Sequence, residues 1–187
     1  MAYLAFRTKL CRTPRSVEKN NNNGEQTPEP NALLDEKGRL LETLLPNVLS
    51  AFDVSIGISH DLMEVIVEPA DVVAVCENLK NHSETLFNYL TCLSVVDYVE
   101  HLQVVYHLYS TQKKHKVVVK ANVSSEEPSL PSVTSVWKGS DWYEREGHDL
   151  FGVIFESHPG LAPLILYEGF EGYPGRKSFP LHDYKEW

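Results

Sequence analysis

The sequence is most readily bounded by what it does not contain. No apolar run approaches the roughly 20 residues that cross a bilayer, so any membrane association is expected to run indirectly, through a partner. There are only three cysteines, Cys11, Cys76 and Cys92, widely separated and without a CxxC or Cys/His cluster. That excludes a structural zinc or an iron–sulfur cluster held by this chain alone, and it fits free thiols in a reducing compartment, two of them buried. There is no GxSxG, no P-loop and no GxGxxG, so neither a nucleophile elbow nor a nucleotide cradle is signalled. An excess of positive charge is also lacking. The formal net charge of −9 argues against nucleic acid as a partner.

What is present is ordinary for a globular protein: 187 residues, 42% apolar and 23% charged. This suffices for one domain plus extensions. Residues 1–24 hold Arg7, Lys9, Arg12, Arg15 and Lys19 against the single acid Glu18. A basic, acid-poor start of this kind resembles a mitochondrial presequence, against the plainer reading of a disordered bacterial extension. Residues 16–31, with four consecutive asparagines and two prolines, offer nothing to bury. The chain is therefore divided into a disordered basic and polar extension (1–31), a folded domain (32–152) and an extended partner-binding tail (153–187).

Within the domain, Asn31 is the expected N-cap of a helix whose leucines Leu33, Leu34, Leu40, Leu41, Leu44 and Leu45 recur at helical spacing up to Pro46. Residues 54–59 and 62–67 read as strands joined by a turn at His60-Asp61. Pro69 opens a helix with the stripe Val72, Val73, Cys76 and Leu79, ending near Asn81. Three strands follow, at 90–99, 103–109 and 115–121, the last two flanking a polar turn. Glu126, Glu127, Pro128 and Pro131 mark a loop. Ser132 or Ser135 caps a short helix through Trp137, and Asp141 caps the next, ended by Gly152. The order α-β-β-α-β-β-β-α-α implies an α+β fold, a single domain of mixed α/β layers with an irregular C-terminal extension.

Several residues could carry chemistry. Asp141, Glu144, Glu146 and Asp149 lie near His148 and His158 in sequence, and carboxylates beside a histidine can support acid–base catalysis. Glu144 and His148, like Arg145 and Asp149, are four apart, so the preferred reading is a salt-bridged or docking face of an exposed helix. The ten-residue spacing of His148 and His158 matches no metal signature. Gly169, Gly172 and Gly175 recur every third residue, but Pro174 and Pro180 prevent the helix a phosphate loop would open. Such a glycine-punctuated segment instead reads as a strap closely apposed to another protein. Phe170, Tyr173 and Phe179 are its anchors, and Arg176 is suited to a partner's carboxylate.

Trp142-Tyr143-Glu144-Arg145-Glu146, Asp149-Leu150-Phe151-Gly152 and His158-Pro159 together resemble the signature of the C-type (30 kDa) subunit of respiratory complex I, the proton-pumping NADH:quinone oxidoreductase; its eukaryotic counterpart is the iron–sulfur protein 3 subunit. Gly169 to Gly172, Pro174, Arg176-Lys177 and Phe179-Pro180 resemble that family's tail. The resemblance covers about residues 33–187. It implies a non-catalytic peripheral-arm subunit without a cofactor of its own, in a complex that carries NADH, FMN, iron–sulfur clusters and quinone. It further implies packing on the D-type, quinone-site subunit, with the B-type and I-type subunits nearby. The implied location is the cytoplasmic face of the inner (plasma) membrane, or the matrix side of the mitochondrial inner membrane. On this reading Glu144, Arg145, Glu146, Asp149, His158, Phe170, Tyr173, Arg176, Lys177 and Phe179 bind partners, while Trp142, Leu150 and Phe151 anchor the helix to its own domain. The sequence departs from the family at Ala162-Pro163, where a basic pair is usual, and at Tyr173, Gly175 and Ser178, which puts particular salt bridges in doubt. The equivalent subunit of a membrane-bound hydrogenase or of a ferredoxin- or F420-linked dehydrogenase is the alternative, followed by an independent enzyme using Glu144, Glu146 or His148.

Overall fold

A computed structural model describes residues 34–180; Asn31, Leu33, Cys11 and the basic N-terminal segment lie outside them. The first helix, α1 (Glu36–Val48), is capped by Asp35, whose carboxylate accepts from the Gly38 N–H at 2.6 Å. Gly38 leaves room for that closure, because a Cβ there would lie 2.9 Å from Leu34. Leu41, Leu45 and Val48 are its buried stripe. Pro46 does not end the helix as expected but sits inside its last turn. The burial of Val48 and Leu49 beyond it outweighs the one backbone bond a proline removes.

Strands β1 (Val54–Ser59) and β2 (Leu62–Val67) form the hairpin turning at His60-Asp61, with His60 in the left-handed region at φ 58°. A 3₁₀ turn, Pro69–Asp71, leads into α2 (Val72–Asn81), which buries Val72, Val75, Cys76 and Leu79. Val75 therefore takes the inward position expected of Val73. Strands β3 (Tyr89–Asp97), β4 (His101–Tyr109) and β5 (Lys116–Ser124) follow. The sheet order is β1-β2-β5-β4-β3, antiparallel except for the parallel β2–β5 pair. That pair requires a crossover, and α2, β3 and β4 lie within the connection.

Alternate strand residues, among them Val65, Leu93, Val104, Tyr106 and Val119, join α1 and α2 in one apolar core. No short helix forms at 132–137; that stretch is turns, and Val133, Val136 and Trp137 enter the core from it. Two strands of three residues go beyond the sequence reading: β6 (Ser129–Pro131) and β7 (Ile154–Glu156), which pair in parallel. β7 lies beyond Gly152, and its Phe155 is fully enclosed. Between them runs α3 (Ser140–Phe151). Its N-cap is Gly139, not Asp141, which lies in the first turn where a carboxylate suits the helix dipole. Gly152 ends the helix at φ 74°, donating to the His148 carbonyl at 2.8 Å. The architecture is α+β, a five-stranded sheet and a two-stranded one with three helices in a single domain, and α+β is the class the sequence implied. No described helix is long and apolar enough to cross a membrane.

Candidate functional site

α3 and the segment after β7 form one unit. Gly147 brings the helix against β3, since a Cβ there would meet Val95 Cγ2 at 3.0 Å. Tyr143 fixes the outer side, its hydroxyl donating to the Thr91 carbonyl at 3.1 Å. Leu150 and Phe151 are half-buried, and Phe151 packs on the core. Trp142, expected as an anchor, instead stands 65% exposed. The inward tilt of α3 gives Tyr143 the place expected of Trp142.

The helix charges do not pair with one another along the helix. Glu144 is wholly buried: Oε2 accepts from the Ser132 hydroxyl at 2.6 Å and Oε1 from the Val133 N–H at 2.8 Å. Burial pushes its carboxyl pKa up, and the hydrogen bonds pulling it down do not offset that. The exposed i,i+4 ion pair with His148 is therefore absent. His148 Nδ1 lies 2.9 Å from the Val153 carbonyl instead. His158, also enclosed, sits with Nε2 3.2 Å from Asp141 and 3.9 Å from Glu144, while Nδ1 accepts from the Gly160 N–H at 3.0 Å. Because Nδ1 is an acceptor, the neutral ring carries its proton on Nε2, facing the two carboxylates.

Arg145 reaches the tail backbone, donating to the carbonyls of Ala162 at 3.0 Å and Pro163 at 2.9 Å. Asp149 Oδ2 accepts three consecutive N–H groups, from Leu164 at 3.2 Å and from Ile165 and Leu166 at 2.8 Å. Burial raises the Asp149 pKa, but these three bonds outweigh it and hold the carboxyl below its usual range. The tail thus runs alongside α3, from His158 beside Asp141 to Leu166 beside Asp149. It then returns so that Gly175 N–H donates to the Leu150 carbonyl at 2.9 Å. Arg176 Nε donates to the Phe151 carbonyl at 2.7 Å and Nη1 to the Ser125 carbonyl at 2.8 Å, with the guanidinium over the Tyr173 ring. Lys177 is held by its backbone N–H, which donates to Asp97 at 2.8 Å.

The close glycine contacts are also internal. A Cβ on Gly152 would lie 2.5 Å from Tyr173, and one on Gly175 2.8 Å from Phe151. Phe170 stacks on Phe179, and both are half-buried. Among the residues expected to bind partners, Glu144 and His158 are thus enclosed. Arg145, Asp149 and Arg176 are engaged with the tail, and Lys177 is engaged through its backbone. Glu146 lines a cleft of about 220 Å³ between β3 and α3 and makes no described ion pair. Among the side chains the strap leaves outward, beside the charged Glu168, Glu171 and Lys177, are three large ones: Ile165 is 57% exposed, Tyr167 71% and Tyr173 42%. Sequence reasoning missed Ser132, Asp97 and Ser125 as supports; their only signal is proximity in the fold. Arg145 bonds to carbonyls at 162 and 163, which any residue supplies, so the missing basic pair there does not weaken this contact.

As chemistry, this is a latch. Glu144 has the raised pKa an acid–base role would want, but its oxygens are occupied and its side chain has no accessible surface. Among the described residues, no group of three or more His, Cys, Asp or Glu side chains could hold a metal ion. Cys76 is buried, with its thiol pKa raised by burial, and Cys92 is half-buried; neither is disulfide-bonded.

The model of the family described as respiratory-chain NADH dehydrogenase, 30 kDa subunit, matches residues 65–185. The chain belongs to that family. Among its relatives, the second C-type subunit of the NADH-quinone oxidoreductase of Rhizobium meliloti is 39% identical over 135 residues, covering 71% of this chain and 74% of the relative. The C-type subunit of the same enzyme from Salinispora tropica is 35% identical over 176 residues, covering 92% and 69%. Among solved structures, the trypsin-resistant fragment (1–134) of Nqo5 superposes with TM-score 0.55 at 28% identity, covering 65% of this chain and 98% of the fragment. A chain of the archaeal membrane-bound sulfane sulfur reductase shares the fold, with TM-score 0.65 at 22% identity over 75% of this chain and 85% of that one. As a member of the 30 kDa subunit family, the chain is a subunit of a multi-subunit oxidoreductase.

Proposed function

We propose that this chain is a scaffolding subunit in the peripheral arm of a proton-pumping NADH:quinone oxidoreductase, and that it seats the D-type, quinone-site subunit. The observation that carries this reading is the strap: a segment without regular structure, pinned by polar bonds to α3, that turns Ile165, Tyr167 and Tyr173 outward. Large side chains exposed on a rigidly held backbone lose little entropy on binding, which favours their use as anchors. The redox groups, NADH, FMN, iron–sulfur clusters and quinone, belong on this reading to other subunits, including the B-type and I-type subunits. The chain acts by fixing distances between them. It sits at the cytoplasmic face of the inner membrane and is bound there through the complex. The relatives at 35–39% identity favour an NADH-linked complex over one of the sulfane sulfur reductase kind.

The test is removal of residues 162–187. This keeps His158 and Leu161 against the domain, so the remainder is expected to stay folded while the D-type subunit no longer co-purifies with it. Undiminished co-purification would overturn the strap's role.

A further inference from the structure

The face of the large sheet turned away from the apolar core is not flat. β3 has a register shift between Leu90 and Cys92, which turns both Thr91 and Cys92 toward a recess of about 560 Å³. Such a bulge bends its strand and locally increases twist. Tyr89 stands opposite Tyr109, Cys92 opposite His107, and His107 opposite Val118, while Leu62 of β2 closes the far side. The recess is therefore mainly apolar with aromatic walls, and Tyr89 is 52% exposed. A cavity of this size takes one or two large side chains.

Its rim on the β4–β5 side is rich in lysine. Between Glu100 and Glu126, the stretch that forms β4, β5 and their turn, there are four lysines, three histidines and no carboxylate, in a chain of net charge −9. Lys113, Lys114 and Lys116 are exposed at the recess end of this hairpin and make no ion pair among the described residues. Lys120 is bound to Glu64, and the carboxylates of Asp61 and Asp35 border a small adjoining cleft with Lys37, Lys114 and Lys116, leaving Lys113 and the outer side of Lys116 toward the recess end. None of the residues lining the recess belongs to the strap, so this surface is separate from it.

We propose that the recess is a second docking surface, and that its occupant is a segment of a partner protein bearing an aromatic or large aliphatic side chain flanked by carboxylates. The ring or aliphatic chain fills the space between Tyr89, His107 and Tyr109, and the carboxylates meet Lys113 and Lys116. Complementary charge of this kind selects the partner and speeds encounter more than it adds raw affinity. A concavity rimmed by lysines takes single side chains of a peptide segment, whereas a lipid surface is met by a continuous apolar face.

The test uses the assembled oxidoreductase purified with p-benzoylphenylalanine replacing Tyr89, irradiated, and the cross-linked peptide sequenced by mass spectrometry. The expected product is a segment of another subunit with at least one aromatic or large aliphatic residue and neighbouring Asp or Glu. Its yield is expected to fall about fivefold in the Lys113→Glu, Lys116→Glu double variant and to fall with added salt. Both lysines are exposed, so circular dichroism of that variant should be unchanged. Four results would overturn the proposal: cross-links only to lipid, only to another part of this chain or a second copy of it, none at all, or a yield indifferent to the charge reversal. Loss of the strap residues beyond 161 should leave this cross-link chemistry intact in the isolated pair of subunits, so the two interfaces fail separately.

Discussion

Residues up to Glu156 and residues after it are held by different forces. The first part is closed by apolar burial: Phe155, Tyr106, Leu41 and Leu79 are enclosed among one another. The second contributes only Leu161 to that core and is fastened by side chains of α3 gripping its backbone. A backbone held by carboxylates and guanidinium groups depends less on burying its own apolar side chains, of which Phe170 and Phe179 stack half-buried and Tyr173 lies against Gly152. Ile165 and Tyr167 are left mostly exposed. A segment can thus be well placed without being buried, and its charged neighbours, not its rings, then determine its position.

The contrast can be attacked from either side. The largest expected effect is in the core: Phe155→Ala should lower unfolding free energy by about 3–5 kcal/mol, read by urea denaturation, and should release β7 with the tail behind it. Glu144→Ala follows, at about 2–3 kcal/mol for leaving the Ser132 hydroxyl and the Val133 N–H unpaired, measured in the same way. Asp149→Ala should separate the two regions. Amide exchange at Leu164, Ile165 and Leu166 should quicken by at least about tenfold, while the global unfolding midpoint changes little. Arg176→Ala should loosen the return of the tail at Phe151 and Ser125. Lys177→Ala should do so least, because only its backbone N–H is used.

Acid should divide the regions as well. The Asp149 carboxyl is held below its ordinary value, so its grip is complete above the unfolded pKa, about 3.9, and is lost as pH falls through the lower folded value. Glu144 is displaced upward, so its contribution is greatest below the unfolded value, about 4.3, and declines as pH rises through the folded one. Taking the protein from neutral pH to below the carboxylate range should therefore free the 164–166 amides while relieving the charge buried at Glu144. Site-resolved hydrogen exchange across that range checks both signs.

Much of the domain is legible in residue order. The β1–β2 turn at His60-Asp61, the opening of the second helix region at Pro69 and the Gly152 stop all follow from local chemistry, and local chemistry is what sequence exposes. The misses share a different cause. Pro46 reads as the end of α1, but burial of Val48 and Leu49 carries the helix on. β6 and β7 are three residues each, too short for a period, and they exist through pairing with each other. Glu144 with His148 and Arg145 with Asp149 follow the i,i+4 spacing of an exposed, salt-bridged helix face. Nothing along the sequence says that residues 162–166 return over that face to take Arg145 and Asp149, or that Ser132 and Val133 take Glu144. Of the glycines read as points of close approach to a partner, Gly172 and Gly175 are approached by Phe179 and Phe151 of the same chain, and Gly169 by nothing.

The outward side chains of the strap carry the proposed role, and one double variant addresses them without disturbing what holds the strap: Ile165→Ser with Tyr167→Ser. Both side chains are mostly solvent-exposed, and the Asp149 and Arg145 bonds are to backbone atoms. The thermal midpoint and the protection of the 164–166 amides should stay at the parent's values while co-purification of the D-type subunit with this chain falls sharply. Co-purification equal to the parent's, with the strap still protected, would contradict the claim that this surface seats a neighbouring subunit.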